Sequence, residues 1–185
     1  MIDDSTKYDI NKKYVSIFAI AVLFSWILHE FAHWAVGECL GYKMIMTLNS
    51  SYPANGNYSK NLHYQIISTG GPIITLCEAI LIFILMTRRN IILLYPFLFT
   101  CFYMRLFATV ISFRHPNDEA RISCAMGIGK FTLPLFMSIT LFALIYKVSH
   151  RYKIDTKFNL ANLGLTLLFS SIIILTDMYF KVRLL

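Results

Sequence analysis

Polar residues along this chain are bunched, and between the bunches run five apolar stretches: Tyr14–Gly37, Tyr64–Thr87, Ile91–Phe113, Phe131–Val148 and Leu160–Phe180. Each has roughly the 17 to 25 residues that a helix needs to cross a bilayer core. The pattern predicts an all-α membrane protein of about five transmembrane helices. A polar amino-terminal tail, residues 1–13, would precede a single polytopic membrane domain, residues 14–185. Lys12 and Lys13 stand before the first run, as in a signal peptide. However, no small-x-small cleavage site closes that run, and it continues through His29 and Glu30, so it is expected to stay as a span.

The connection between the first two spans has a different rhythm. Met44 to Asn49 partly alternates, Pro53 and Asn55-Gly56 signal turns, and Tyr58 begins a return segment. These features predict a small interfacial hairpin. An edge of that hairpin could pair with an extended peptide, or the segment could be a plain polar loop.

Composition agrees with the spans. Of 185 residues, 57% are hydrophobic and only 15% charged, which is too apolar for an ordinary soluble domain. The net charge of +7 would suit nucleic acid. The basic residues, however, sit in the connections (Arg88-Arg89, Lys147, Arg151, Lys153, Lys157), and no basic face interleaved with aromatics stands clear of the bilayer. No nucleic-acid partner is expected. Alternating spans place nine Lys and Arg on the amino-terminal side and seven on the other, a slight bias toward a cytoplasmic amino terminus. Cys39, Cys77, Cys101 and Cys124 make no C-x-x-C pair and read as small buried hydrophobes.

One motif breaks the apolar rule. His29-Glu30-Phe31-Ala32-His33 puts two histidines four residues apart on one helical face, with a glutamate between them, inside a span. Both imidazoles can reach one metal, and Glu30 is near enough to act on a water held there. Buried ionisable groups in a bilayer are costly without partners, and a metal would partner these residues together. A helix rise of 1.5 Å per residue puts His33 about 6 Å inside the far boundary of the first span. Ser68-Thr69-Gly70-Gly71-Pro72 of the second span lies at the same level, where glycines permit close helix approach and proline frees a carbonyl. Gly70, Gly71 and Pro72, with Asn49 from the hairpin, are candidates for positioning a substrate; simple helix packing would explain the glycines equally well.

A catalytic zinc keeps three protein ligands and one open position. Glu38 points about 160° away from the two histidines. Asp177 ends on the correct side, but nothing in the sequence gathers around it. Glu78 lies deeper and is expected to pair with Arg105 or another polar group. The best third ligand is Asp118, in His115-Pro116-Asn117-Asp118-Glu119 after the third span, with Glu119 and His115 as alternatives. Pro116 would end the preceding helix, and Asn117 or Asp118 could instead cap a short helix running toward Gly127. Arg121 could orient the acidic pair.

These residues resemble the site-2 protease family of intramembrane zinc metallopeptidases. His29-Glu30-Phe31-Ala32-His33 is similar to its H-E-F-G-H motif, with Ala32 in place of glycine. Gly71-Pro72 is similar to a Gly-Pro element of its next core helix, with Thr75 where asparagine is common. Asp118 occupies the place of the acidic ligand, although Glu119 follows it where the family has glycine. The resemblance spans roughly Ser25 to Ser123. It implies Zn2+ bound by His29, His33 and Asp118, Glu30 as general base, a catalytic core within residues 14–130, and a minimal form without a PDZ domain. It also implies a multi-pass protein, in a bacterial cell membrane, that cuts a membrane-embedded or membrane-associated protein or peptide. The competing expectation is a non-enzymatic membrane protein, with an immunity or partner-stabilising role, that uses His29, Glu30 and His33 as internal polar contacts.

Overall fold

The computed structural model describes residues 10–185. The tail expected over residues 1–13 falls largely on residues 1–9, which lie outside the described residues. Six α-helices and one two-stranded sheet follow in the order α1 (Lys12–Cys39), β1 (Met44–Met46), β2 (Ser51–Pro53), α2 (Asn61–Arg89), α3 (Tyr95–Ile111), α4 (Asp118–Ala125), α5 (Thr132–Tyr152) and α6 (Thr156–Phe180). A single 3-10 turn, Ile92–Leu94, leads into α3. Five helical segments, Lys12–Cys39, Asn61–Arg89, Ile92–Ile111, Thr132–Tyr152 and Thr156–Phe180, are long and apolar enough to cross a membrane. Each expected span coincides with one of them.

Local chemistry sets the helix ends. Asn11 caps α1 by accepting the Tyr14 N–H at 2.9 Å, and Asp155 caps α6 by accepting that of Phe158 at 2.7 Å. Asn90 and Lys153 close α2 and α5 in the left-handed conformation, with φ of 53° and 55°. The outer surface of the bundle is apolar: Ile20, Phe24, Leu81, Ile139 and Leu175 are all exposed. The interior holds Phe18, Val22, Met86, Tyr95, Leu98 and Leu141. Apolar residues on both faces suit a bundle solvated by lipid.

α1 and α2 pack closely because Gly70 has no side chain; a Cβ there would stand 2.9 Å from the Ala32 carbonyl oxygen. α3 lies against both, and α6 packs on α1 and α3. α4 packs against α2 and α5.

The hairpin forms between α1 and α2 but returns earlier than expected. β1 pairs antiparallel with β2 in the register Met44↔Pro53, Ile45↔Tyr52 and Met46↔Ser51. The tight turn is Thr47–Ser50, closed by Thr47 N–H donating to the Ser50 carbonyl at 2.8 Å. The return strand therefore begins at Ser51 rather than Tyr58. Pro53 ends that strand, where its missing N–H costs no ladder bond, and Asn55-Gly56 turns the chain only afterwards.

Candidate metal centre

Three side chains from two chain segments converge where α1 and α4 meet α2. His29 and His33 project from one face of α1, and Asp118 is the first residue of α4. All three are buried, at 5%, 7% and 8% exposure. His33 Nε2 is 3.2 Å from His29 Nε2, and Asp118 Oδ2 is 3.4 Å and 3.3 Å from those same nitrogens. Among the described residues this group could hold a metal ion.

The outer ring nitrogens fix what the inner ones carry. His33 Nδ1 is 2.7 Å from the Ile67 carbonyl oxygen, which can only accept, so Nδ1 bears the hydrogen. The Thr75 hydroxyl donates to the Gly71 carbonyl at 2.9 Å, leaving its lone pair for His29 Nδ1 at 3.1 Å. Arg105 Nη2, 3.4 Å from that nitrogen, is longer than a good hydrogen bond. Neutral imidazoles held this way both turn an Nε2 lone pair toward Asp118. Three electron-rich atoms then face one another, and a proton would relieve only one edge of the triangle.

The dimensions fit zinc. Ligand atoms about 2.0–2.1 Å from a tetrahedral zinc stand about 3.3–3.4 Å apart, matching all three edges. Three protein donors of N, N and O type would leave a fourth tetrahedral position free.

Asp118 is held from two sides. Arg121 donates to its Oδ1 and also reaches Ser68 Oγ at 3.3 Å. Asp118 Oδ2 faces the two Nε2 lone pairs, while its Oδ1 takes the Arg121 guanidinium, the one formal cation bonded to this carboxylate among the described residues. Its carboxylate is committed to these partners and caps nothing; Asn117 occupies the cap position of α4 without a side-chain hydrogen bond.

The alternatives for the third ligand stand elsewhere. Glu119 accepts a 2.7 Å bond from Arg105 Nη1, with both residues only 3% exposed. His115 is exposed. Glu38 accepts the Met44 N–H at 2.7 Å, and Glu78 accepts from Ser25 Oγ at 2.7 Å. Glu78 thus takes another polar partner, Ser25, one of the two outcomes expected for it, while Arg105 of α3 pairs with Glu119 of α4. Asp177 proves well partnered: it accepts from Thr47 Oγ1 and the Leu48 N–H, each at 3.0 Å.

A cavity of about 630 Å³ opens beside the group, lined by Trp26, His29, Glu30, His33, Asp118 and residues of the hairpin. Glu30 Oε2 is enclosed with no hydrogen-bond partner. Of the candidates for substrate positioning, Asn49 lines the cavity and accepts from Trp26 Nε1 at 2.7 Å. Gly70, Gly71 and Pro72 are buried away from it. A Cβ on Gly71 would land on both imidazole rings, so this glycine makes room for the histidines themselves.

The hairpin borders the cavity with one open edge. The Thr47–Ser50 and Lys43–Ala54 backbone bonds make Ile45↔Tyr52 the bonded pair between them, so Met46 points its polar groups outward from β1, and Ser51 and Pro53 point theirs outward from β2. Met46 is already paired: its N–H donates to the Leu185 carbonyl at 3.1 Å, and its carbonyl accepts the Leu184 N–H at 2.8 Å. The β2 edge remains, and Ser51 and Tyr52 line the cavity. Sequence reasoning missed the Thr75 and Ile67 partners of the rings, although Thr75 one turn after Gly71 was the available signal. Comparison with family models, with curated proteins and with solved structures finds no match to this chain.

Proposed function

We propose that this protein is an intramembrane zinc metallopeptidase that hydrolyses a peptide bond of a membrane-embedded or membrane-associated protein. The observation that carries this reading is the triangle of His29 Nε2, His33 Nε2 and Asp118 Oδ2, with edges of 3.2 to 3.4 Å, beside a cavity that Glu30 also lines. The H-E-x-x-H spacing and the order of helices resemble the site-2 protease family, and that resemblance motivates the choice of reaction.

His29, His33 and Asp118 would hold the ion, with Thr75, Ile67 and Arg121 keeping those donors oriented. Zinc in such a site acts as a Lewis acid and brings the pKa of a water it holds toward neutrality. Glu30 lies between the two histidines in the motif, and its enclosed oxygen lacks a partner. Its carboxylate would take the proton from the attacking water and deliver it to the leaving amine. The open β2 edge offers the Ser51 N–H and carbonyl to an extended segment, which β-strand addition would lay along the cavity; the Pro53 carbonyl already accepts the Gly56 N–H at 2.8 Å. A substrate helix must unwind before its carbonyl is reachable, which favours substrates with helix-weakening residues near the interface.

The test is incubation of the purified protein with a panel of single-span membrane proteins, wild type beside Glu30→Gln. Cleavage by the wild type, lost in a variant that keeps its metal, supports the reading. Equal cleavage by Glu30→Gln removes Glu30 from its role.

A further inference from the structure

α6 supplies no ligand to the metal group, yet it reaches the site through one carboxylate. Asp177, near the carboxy-terminal end of α6, is 7% exposed and accepts from two groups of the hairpin turn, Thr47 Oγ1 and Leu48 N–H, both at 3.0 Å. Thr47 is 3% exposed, and its hydroxyl oxygen is 2.9 Å from Ser50 Oγ. A threonine hydroxyl has one hydrogen, and the carboxylate is its strongest acceptor, so the order is Ser50 Oγ–H to Thr47 Oγ1, and Thr47 Oγ1–H to Asp177. The turn is thus bonded to α6 through backbone and side chain together. Four residues past the helix end, the Leu184–Leu185 backbone pairs with Met46 and holds β1 from the same direction.

The other attachments of the hairpin go to α1. Ser51 Oγ donates to the Glu30 carbonyl at 2.8 Å, and Trp26 Nε1 donates to Asn49 Oδ1 at 2.7 Å. Asn49 and Ser50 border the cavity directly after the residues that Asp177 grips, and Ile174, one turn before Asp177, lines the same cavity. The hairpin tip is therefore slung between two helices over the metal group.

We infer that Asp177 is a positioning residue that clamps the hairpin tip at the cavity mouth, making the last helix part of the site. Its consequence for a docked peptide rests on the function proposed above: the clamp fixes where the open β2 edge stands relative to His29, His33 and Asp118. Releasing it lets the tip swing on its α1 attachments, so Asn49 and Ser51 no longer hold one register over the cavity.

The hydrogen bond from Trp26 to Asn49 gives a reporter that needs neither metal nor activity. The chain has two tryptophans, so Trp34→Phe leaves Trp26 as the sole emitter. In that background, Asp177→Leu is expected to raise acrylamide quenching of Trp26 about twofold or more, the signature of local opening. Asp177→Asn keeps one good acceptor and should give a smaller rise, and Thr47→Val, which removes only the hydroxyl, should resemble it. A fall in melting temperature with Trp26 quenching unchanged in natively folded Asp177→Leu would overturn the inference, because it would show ordinary structural support. Should Asp177→Leu fail to fold, unchanged quenching in both Asp177→Asn and Thr47→Val overturns it equally. Absence of bound zinc in any of these proteins counts against the proposed peptidase and leaves the Trp26 result to decide the clamp.

Discussion

His33 Nε2 and Asp118 Oδ2 stand 3.3 Å apart, one from the last third of α1 and the other from the first residue of α4. The position of Asp118 depends on two basic residues on different elements. Arg121, one turn on, holds its Oδ1, while Glu119 is drawn inward by Arg105 of α3. Neighbouring carboxylates of one helical turn are thereby sorted into a candidate metal ligand and a structural counter-charge.

That sorting predicts unequal mutational costs. Arg105→Leu leaves Glu119 buried without a partner and should cost about 3–5 kcal/mol, the usual penalty for breaking a buried pair. Arg121, whose side chain is 29% exposed, is screened by solvent. Arg121→Ala should cost about 1 kcal/mol or less while loosening Asp118. Thermal unfolding in detergent compares the two variants. Equal, small losses would show that Arg105 and Glu119 are solvated after all.

Gly71 makes a second prediction. Its missing side chain leaves the space that the His29 and His33 rings occupy. Gly71→Ala should push the imidazoles apart, cost about 1–3 kcal/mol through overpacking, and weaken metal binding. Gly164, where an added Cβ meets nothing within 4 Å, is the control. Its alanine variant should bind metal like wild type. Metal titration of both proteins checks this, and wild-type affinity in Gly71→Ala would contradict it.

Thr75 should act through His29. Thr75→Val keeps the shape but removes the acceptor for Nδ1–H, freeing the ring to rotate or change tautomer. Loss of such an outer hydrogen bond typically lowers metal affinity about 10- to 100-fold. Thr75→Ser should restore it. Competition against a chelator of known affinity measures the difference, and equal affinity in all three proteins would remove Thr75 from the centre.

Much of this architecture is legible in the sequence because lipid imposes a simple rule: a spanning helix must be a long apolar run, and a charged group inside one needs a partner. His29, Glu30 and His33 stand out for that reason, and helical spacing alone puts both histidines on one face. Asp118 could be placed by its position after the third span. The Arg105–Glu119 pair could not, since it depends on how α4 packs against α2 and α5 and so turns Glu119 toward α3. The hairpin return was misplaced because Asn55-Gly56 is the stronger turn dipeptide. The turn that forms, Thr47–Ser50, is closed by its own hydroxyls and by Asp177, a residue distant in sequence whose role no local pattern announces.

The central claim is that His29, His33 and Asp118 bind one zinc. The most direct measurement is the zinc content of the detergent-purified protein, supplied with zinc, beside its His29→Ala and Asp118→Ala variants. The account predicts close to one zinc per chain in the wild type and loss in both variants with the fold retained. A folded wild type that takes up no zinc, or an Asp118→Ala variant that keeps a full equivalent, would contradict it.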